Sequence, residues 1–194
     1  MKRFLLTTLS VLSLCSCIGI QSQISLGRDG SGTLRLSYRI SQFLRESQDL
    51  PLPVSREDFQ RAVAAAPGLR LEALSQREDE QDVTIEARIA FDRVEALNAL
   101  GDRLGLSYGE QGGRRVFRQR LYPGQPPGGI SAESLKLVET FFQGYEVSLE
   151  LSSPAPILSH SLGTLSEDRR SLRYQTTIPE LLKQKDEVTL EVTW

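Results

Sequence analysis

The sequence predicts an α+β fold in which an antiparallel, twisted sheet of several hairpins carries about three helices on one face. Three observations predict this class. Apolar residues alternate with period two along several short segments, which is typical of half-buried strands. Glycine-rich turns join these segments in pairs, as in hairpins. Segments with helical periodicity lie between the hairpins, and this order of elements is typical of α+β domains.

The first hairpin is predicted over residues 21–41. Apolar residues alternate in QSQISL, the glycine-rich segment GRDGSG follows, and TLRLSYRI alternates again. LRLEALSQRED and DVTIEARIAF predict a second antiparallel pair, and LSYGEQGGRRVFRQRLY predicts a third hairpin that turns at Gly112 and Gly113. A phosphate-binding interpretation of GRDGSG would need a helix after the glycines. The period of two that follows favours a turn.

Three segments predict helices. SREDFQRAVAAAPG has Ser55 as N-cap, acids in its first turn and Pro67-Gly68 as its stop. DRVEALNALGDRLG has helical period, and SAESLKLVETFFQG is capped by Ser131. SQFLRESQ is a candidate for a further short helix. The remainder predicts the strands YEVSLELSS, SLRYQTT and EVTLEVTW, with a short helical turn at IPELLK.

The first residues have the pattern of a secretory signal. MKRFLLTTLSVLSLCSC begins with two cations and continues with an apolar stretch that is too short to span a membrane. Small residues surround the two cysteines, Cys15 and Cys17. This segment resembles the lipobox of bacterial lipoproteins, in which a leucine and two mostly small residues precede the acylated cysteine.

Cys17 fits the lipobox better than Cys15, because Ser16 precedes it and Leu14 lies three positions before it. The resemblance implies cleavage after residue 16, acyl chains on Cys17 and anchoring in a membrane, for which more than one chain is needed. The alternative is a redox pair, but such pairs lie beside a folded scaffold that tunes the thiol. Ile18 is compatible with export to the outer membrane if the organism has two membranes.

The sequence predicts a signal peptide at 1–16 and a single extracytoplasmic α+β domain at 17–194. Residues 123–129, PGQPPGG, are the strongest linker candidate, and a surface loop within one domain is the favoured interpretation. The formal net charge is −2, which gives no indication of nucleic acid as a partner. After Ile20, no segment approaches the ~20 apolar residues that a spanning helix needs.

The residues available for catalysis are few, and we expect neither an enzyme nor a cofactor. His160 is the single histidine, and no strained G-x-S-x-G turn is present. No cluster has the spacing of metal ligands. The acidic segment REDEQD, residues 77–82, lacks the pattern of an EF-hand loop and is interpreted as a solvated turn. Carboxylate pairs for acid–base chemistry remain an open alternative.

The segment GGRRVFRQR is the one basic cluster. In a strand, Arg114, Arg118 and Arg120 share a face with Val116. These arginines are candidates for binding the phosphates of a lipid headgroup. The alternative, which we favour, is a solvated face paired with acids on a neighbouring strand, such as Glu86.

Two regions resemble the LppM-like lipoprotein domain of bacteria. One is ISLGRDGSGTLRLSYRIS, and the other is YEVSLELSSPAPILSHSLGTLSEDRRSLRYQTTIPELL with VTLEVTW. The segment Pro154-Ala155-Pro156 departs from the expected Pro-Gly, and no C-terminal spanning helix follows. The resemblance implies an extracytoplasmic α+β domain with an apolar groove for lipid, and it implies no catalytic residues.

Two functions follow from these observations. The first is a membrane-anchored, non-catalytic lipoprotein that binds a lipid or other hydrophobic ligand between amphipathic helices. The second is a structural or protein-interaction lipoprotein of the envelope without a small-molecule ligand. The apolar helix faces have a simpler interpretation, in which they fill the core. They comprise Phe59, Val63, Leu97, Leu104, Leu135, Val138, Phe141 and Phe142.

Overall fold

The computed structural model describes residues 19–42, 52–80, 82–142 and 144–194, and the strands among them form two sheets. In chain order the strands are β1 Ile20–Leu26, β2 Gly32–Ser41, β3 Leu69–Glu78, β4 Asp82–Phe91, β5 Leu106–Gln111, β6 Arg114–Tyr122, β7 Glu146–Ser152, β8 Ser159–His160, β9 Thr164–Leu165, β10 Ser171–Thr177 and β11 Val188–Thr193. The larger sheet has seven strands, in the order β3-β4-β2-β1-β7-β10-β9. The smaller sheet has four, in the order β5-β6-β11-β8.

The three predicted hairpins are present as the antiparallel pairs β1-β2, β3-β4 and β5-β6. The last of these turns at Gly112 and Gly113, whose φ angles of 60° and 74° are the left-handed values that a tight hairpin turn requires. β2 also pairs with β4 in antiparallel fashion, which joins the first two hairpins into one sheet. Alternation and turn glycines therefore predict the local pairs correctly.

The prediction of one antiparallel sheet is correct only in part, because there are two sheets and the larger one is mixed. β1 lies parallel to β7, with Ile24 opposite Leu151. A parallel pair needs a long crossover, and the chain between β2 and β7 supplies it while also forming β5 and β6. Period-two alternation shows which side chains share a face of a strand. It does not show which distant strand becomes its neighbour.

The helices are α1 Arg56–Ala64, a 3₁₀ helix at Val94–Leu100, α2 Gly101–Leu104, α3 Ala132–Phe141 and α4 Ile178–Leu182. Ser55 and Ser131 cap α1 and α3 as predicted. The segment predicted as one helix from Asp92 is instead a 3₁₀ helix followed by one short α-helical turn. The further candidate helix at SQFLRESQ lies mostly outside the described residues.

The two sheets share one apolar core. Inward side chains of the larger sheet, such as Leu34 and Ile89, belong to the same buried cluster as Phe117 and Val192 of the smaller sheet. Phe59 anchors α1 in this cluster, and its ring lies 6.4 Å from the ring of Tyr38. A second cluster joins α3 and α4 to the start of β7. The apolar faces of the helices that the structure describes therefore contribute to core packing.

The segment between β7 and β10 connects the two sheets. It gives β8 to the smaller sheet, beside β11, and β9 to the larger sheet, beside β10. Arg169, with a φ of 56°, closes the segment, because its guanidinium donates to the carbonyl oxygen of Ile157 at 2.9 and 3.1 Å.

The predicted loop at 123–129 is attached to the chain that follows α4. The Gln125 amide donates to the carbonyl oxygen of Lys185, and its side chain donates to that of Leu182, both at 3.0 Å. The division into residues 1–16 and a domain at 17–194 stays a prediction. Among the described residues, no helix has both the length and the apolar character that a membrane crossing requires.

A candidate binding groove on the larger sheet

A groove lined mostly by polar and charged residues crosses the outer face of the seven-stranded sheet. It has a volume of about 530 Å³ and is lined by side chains from β1, β2, β3, β4, β7 and β10. This face is opposite the core, because the inward residues of the same strands, such as Leu34 and Leu151, are fully buried. The volume lies within the ~300–1,000 Å³ range of small-molecule sites.

Two rows of side chains form the floor of the groove, and each row runs across the strands. Residues in a row are directly opposite one another in the strand register, so neighbouring positions lie ~5 Å apart. The first row runs Ala73, Arg88, Arg35, Gln23, Glu150 and Arg173. The second row runs Ser75, Glu86, Ser37, Gln21, Ser148 and Gln175.

Several charges of the groove are engaged at its sides. Arg88 lies 3.0 Å from Glu72, which occupies the β-bulge of β3. Glu86 accepts from the Ser75 hydroxyl at 3.3 Å and lies 3.8 Å from Arg77. These contacts hold the side chains in place, although each exposed pair contributes little to stability.

The last four residues of the first row, from Arg35 to Arg173, are different. Within the part of the chain that the structure describes, the side chains of Arg35, Gln23, Glu150 and Arg173 have no hydrogen-bond or ion-pair partner. Arg35 lies between Arg88 on one side and Gln23 on the other. Like charges that are directly opposite in a sheet repel. The floor of the groove therefore holds polar groups that are open to solvent and available to a ligand.

A buried carboxylate, that of Asp82, lies at one end of the larger sheet and binds side chains from two other segments. Asp82 is 6% exposed, and both of its oxygens accept from the Tyr145 hydroxyl, at 3.0 and 3.2 Å. Arg39 lies 3.3 Å from the same carboxylate and over the Tyr145 ring. Burial raises the pKa of the Tyr145 phenol, and its hydrogen bond to Asp82 raises that pKa further. This group ties β4 to the chain before β7.

The three candidate arginines lie in the smaller sheet, on β6, and not in the groove. Arg118 pairs with Glu191 of β11 at 2.6 Å and donates to Gln111 at 3.2 Å. Arg114 and Arg120 are exposed. The acid paired with Arg118 is therefore Glu191, and the expectation of Glu86 is wrong because Glu86 belongs to the other sheet.

The other predicted positions lie apart from the groove as well. His160 is exposed in β8, with Nδ1 3.1 Å from the carbonyl oxygen of Leu162. Cys17, the predicted site of lipid attachment, lies outside the described residues. Across the described ranges, no group of three or more His, Cys, Asp or Glu side chains is arranged to hold a metal ion.

An apolar space also lies beneath α1, and it is small. It has a volume of about 20 Å³ between Phe59, Val63 and Leu104 and the sheet. A space of this size holds roughly one water molecule, whereas an acyl chain needs a pocket of some ~300 Å³. The apolar residues predicted to line a lipid site therefore pack against one another at this position.

No family model matches this chain, and no curated protein matches it. Among solved structures, the chain is similar to the NMR structure of the folded domain of the Mycobacterium tuberculosis LppM protein. The match covers 90% of this chain and 86% of that one, at 13% identity and a TM-score of 0.49. LppM is the protein after which the family that the sequence resembles is named.

Proposed function

We propose that this chain is an exported, lipid-anchored protein of the bacterial envelope, and that its domain is a non-catalytic module that binds a polar ligand in the groove. The pattern MKRFLLTTLSVLSLCSC supports export and acylation of Cys17. In an organism with two membranes, Ile18 favours the outer membrane.

The groove itself carries the proposal for binding. A concave surface of about 530 Å³ with unpaired polar side chains on its floor is suited to a water-soluble ligand or polar headgroup. The apolar space of about 20 Å³ beneath α1 gives much weaker support to an internal acyl chain. The ligand class that we favour is therefore polar, which differs from the hydrophobic ligand that the sequence predicts.

The positions of the acids favour binding over catalysis. Glu86 and Glu150 are three strands apart, so their Cα atoms are separated by ~14 Å. Glu146 and Glu150 are four residues apart on β7, which gives ~13 Å. Carboxylate pairs that share acid–base work lie ~5–10 Å apart. The groove also contains no histidine or cysteine among its lining residues.

The test is native mass spectrometry of the whole chain, purified in detergent from its own membranes. We expect a bound molecule that partitions into water after denaturation. The matched variants are Ser148→Trp, which fills the β7 side of the groove, and Ser107→Trp, which places the same bulk on β5 of the other sheet. The bound molecule should be absent from the first variant and present in the second.

Two results would overturn the proposal. One is a bound molecule that survives Ser148→Trp. The other is the absence of any molecule that depends on the groove. A bound molecule that partitions into organic solvent and is still present in Ser148→Trp would instead support binding of an acyl chain.

A further inference from the structure

Two cationic side chains, those of Arg35 and Arg88, lie next to each other in the groove. They are directly opposite each other on β2 and β4, on the outer face of the sheet. The strand register places their Cβ atoms ~5 Å apart. Arginine side chains at this spacing are long enough for both to contact one ligand above the sheet.

The acids nearby leave this pair with excess positive charge. Glu72 engages Arg88, and Arg77 lies beside Glu86, the acid diagonal to Arg35. Arg35 itself has no acidic partner within the described ranges. Two cations that face each other without a shared acid repel, and an anion bound between them would reduce that repulsion.

Neutral donors complete the surroundings. Gln23 is opposite Arg35 on β1, and Ser37 lies two residues along β2 on the same face. Both side chains line the groove, and neither has a hydrogen-bond partner in the part of the chain that the structure describes. The region therefore offers two guanidinium groups, an amide and a hydroxyl, all of which donate hydrogen bonds.

We infer that Arg35 and Arg88, with Gln23 and Ser37, form an oxyanion site that binds the carboxylate or phosphate group of the ligand of the groove. The inference rests on the proposed function and specifies its ligand chemistry. Guanidinium groups bind such oxyanions through paired, charge-assisted hydrogen bonds, and an oxyanion has enough lone pairs for all four side chains.

The test uses the whole chain in detergent micelles and follows the arginine Nε–Hε signals by NMR. The probes are sodium phosphate, sodium acetate and, at equal ionic strength, sodium chloride. We expect saturable shifts of the Arg35 and Arg88 signals with at least one oxyanion and none with chloride. A stronger response to phosphate identifies a tetrahedral anion, and a stronger response to acetate identifies a carboxylate.

The variants separate specific binding from general attraction. Arg35→Gln should weaken oxyanion binding by about tenfold or more, because a charge-assisted hydrogen-bond pair is lost. Arg120→Gln removes the same charge from the smaller sheet and should change binding by less than about twofold, since solvent screens distant charges. Arg35→Lys, which keeps the charge without the planar fork, should fall between the two.

The inference is wrong if chloride gives the same shifts, if no anion binds saturably, or if Arg120→Gln weakens binding as much as Arg35→Gln. The experiments distinguish failure of the oxyanion site from failure of the proposed ligand binding in the groove. A natural ligand that survives Arg35→Gln but is lost in Ser148→Trp would overturn the oxyanion site alone. A ligand that survives both variants would overturn both proposals.

Discussion

Tyr145 donates its hydroxyl to Asp82 across 63 residues of sequence, at 3.0 Å, and so joins the chain before β7 to the first residue of β4. Because Asp82 is buried, this hydrogen bond satisfies a carboxylate that water reaches poorly. Arg39 supplies the opposite charge from β2. These three side chains therefore connect β2, β4 and the residue that precedes β7 at one end of the larger sheet.

Removal of the Tyr145 hydroxyl should destabilise the fold. We expect Tyr145→Phe to lower the free energy of unfolding by about 1–2 kcal/mol, because a hydrogen bond to a charged, buried acceptor is lost while Arg39 remains. Urea denaturation measures this change. Tyr174→Phe is the control, since the Tyr174 hydroxyl has no partner among the described residues, and its effect should be small. Equal effects of both variants would contradict the role of Asp82.

The same hydroxyl should make the free energy of unfolding depend on pH in the alkaline range. The pKa of Tyr145 is raised in the folded state, so the folded protein holds this proton at pH values where the unfolded chain releases it. Its contribution is complete below the ordinary tyrosine pKa of ~10 and is lost as pH rises through the folded value. Denaturation at several pH values should show a steeper loss above pH ~10 in the wild type than in Tyr145→Phe.

Gly32 should tolerate no side chain. A Cβ at this position would collide with the Ser25 carbonyl oxygen and would lie 2.5 Å from the buried Phe91 ring. We expect Gly32→Ala to destabilise the protein by about 2 kcal/mol or more, because backbone or core must move. Gly109→Ala is the matched control on a strand with open space around it, and it should be neutral or gain up to about 1 kcal/mol. Thermal unfolding compares the two.

The N-cap of α1 should contribute measurably to stability. The Ser55 hydroxyl accepts from the Asp58 amide at 3.1 Å and donates to its carboxylate at 2.8 Å, and this hydrogen bond lowers the pKa of Asp58. We expect Ser55→Ala to cost about 1 kcal/mol near pH 7. The difference between the two proteins should shrink as pH falls through the folded pKa of Asp58, since the carboxylate acceptor is then lost. A difference independent of pH would contradict the capping-box contribution.

Arg35→Gln should leave stability unchanged or raise it by a few tenths of a kcal/mol, up to about 0.5. The substitution removes a cation that is opposite Arg88 and breaks no ion pair within the described ranges. The same variant should weaken anion binding, so the loss of binding should come without a loss of stability. A clear loss of stability in urea denaturation would show instead that Arg35 has a structural role.

Acylation at Cys17 is tested by labelling cells with a radiolabelled fatty acid. The wild-type chain should carry the label, and Cys17→Ala should carry none, because the thiol that takes the acyl chains is absent. Cys15→Ala is the control and should keep the label, since residue 15 belongs to the predicted signal peptide. Label that persists in Cys17→Ala would overturn the assignment.

The hairpins and caps could be predicted because they depend on neighbouring residues. Alternation identified the strands, and Ser55 and Ser131 identified two helix starts. The groove could not be found in the same way, although alternation already places Gln23 and Arg35 opposite the apolar face. Its floor requires β7 to lie beside β1, and that pairing joins residues more than a hundred positions apart. The sequence predicts that the acidic segment at 77–82 is a solvated turn, yet Asp82 is buried, with Tyr145 and Arg39 as its partners.

The position of β1 has a consequence for where the groove works. β1 lies in the middle of the larger sheet and begins at Ile20, three residues after Cys17. An extended chain covers at most ~3.5 Å per residue, so Gln23 lies no further than ~21 Å from an acylated Cys17. If Cys17 is acylated as proposed and its acyl chains insert into a bilayer, this short tether keeps the groove close to the membrane surface. The proposed ligand would then have to be present in the thin layer of solution next to the lipid headgroups.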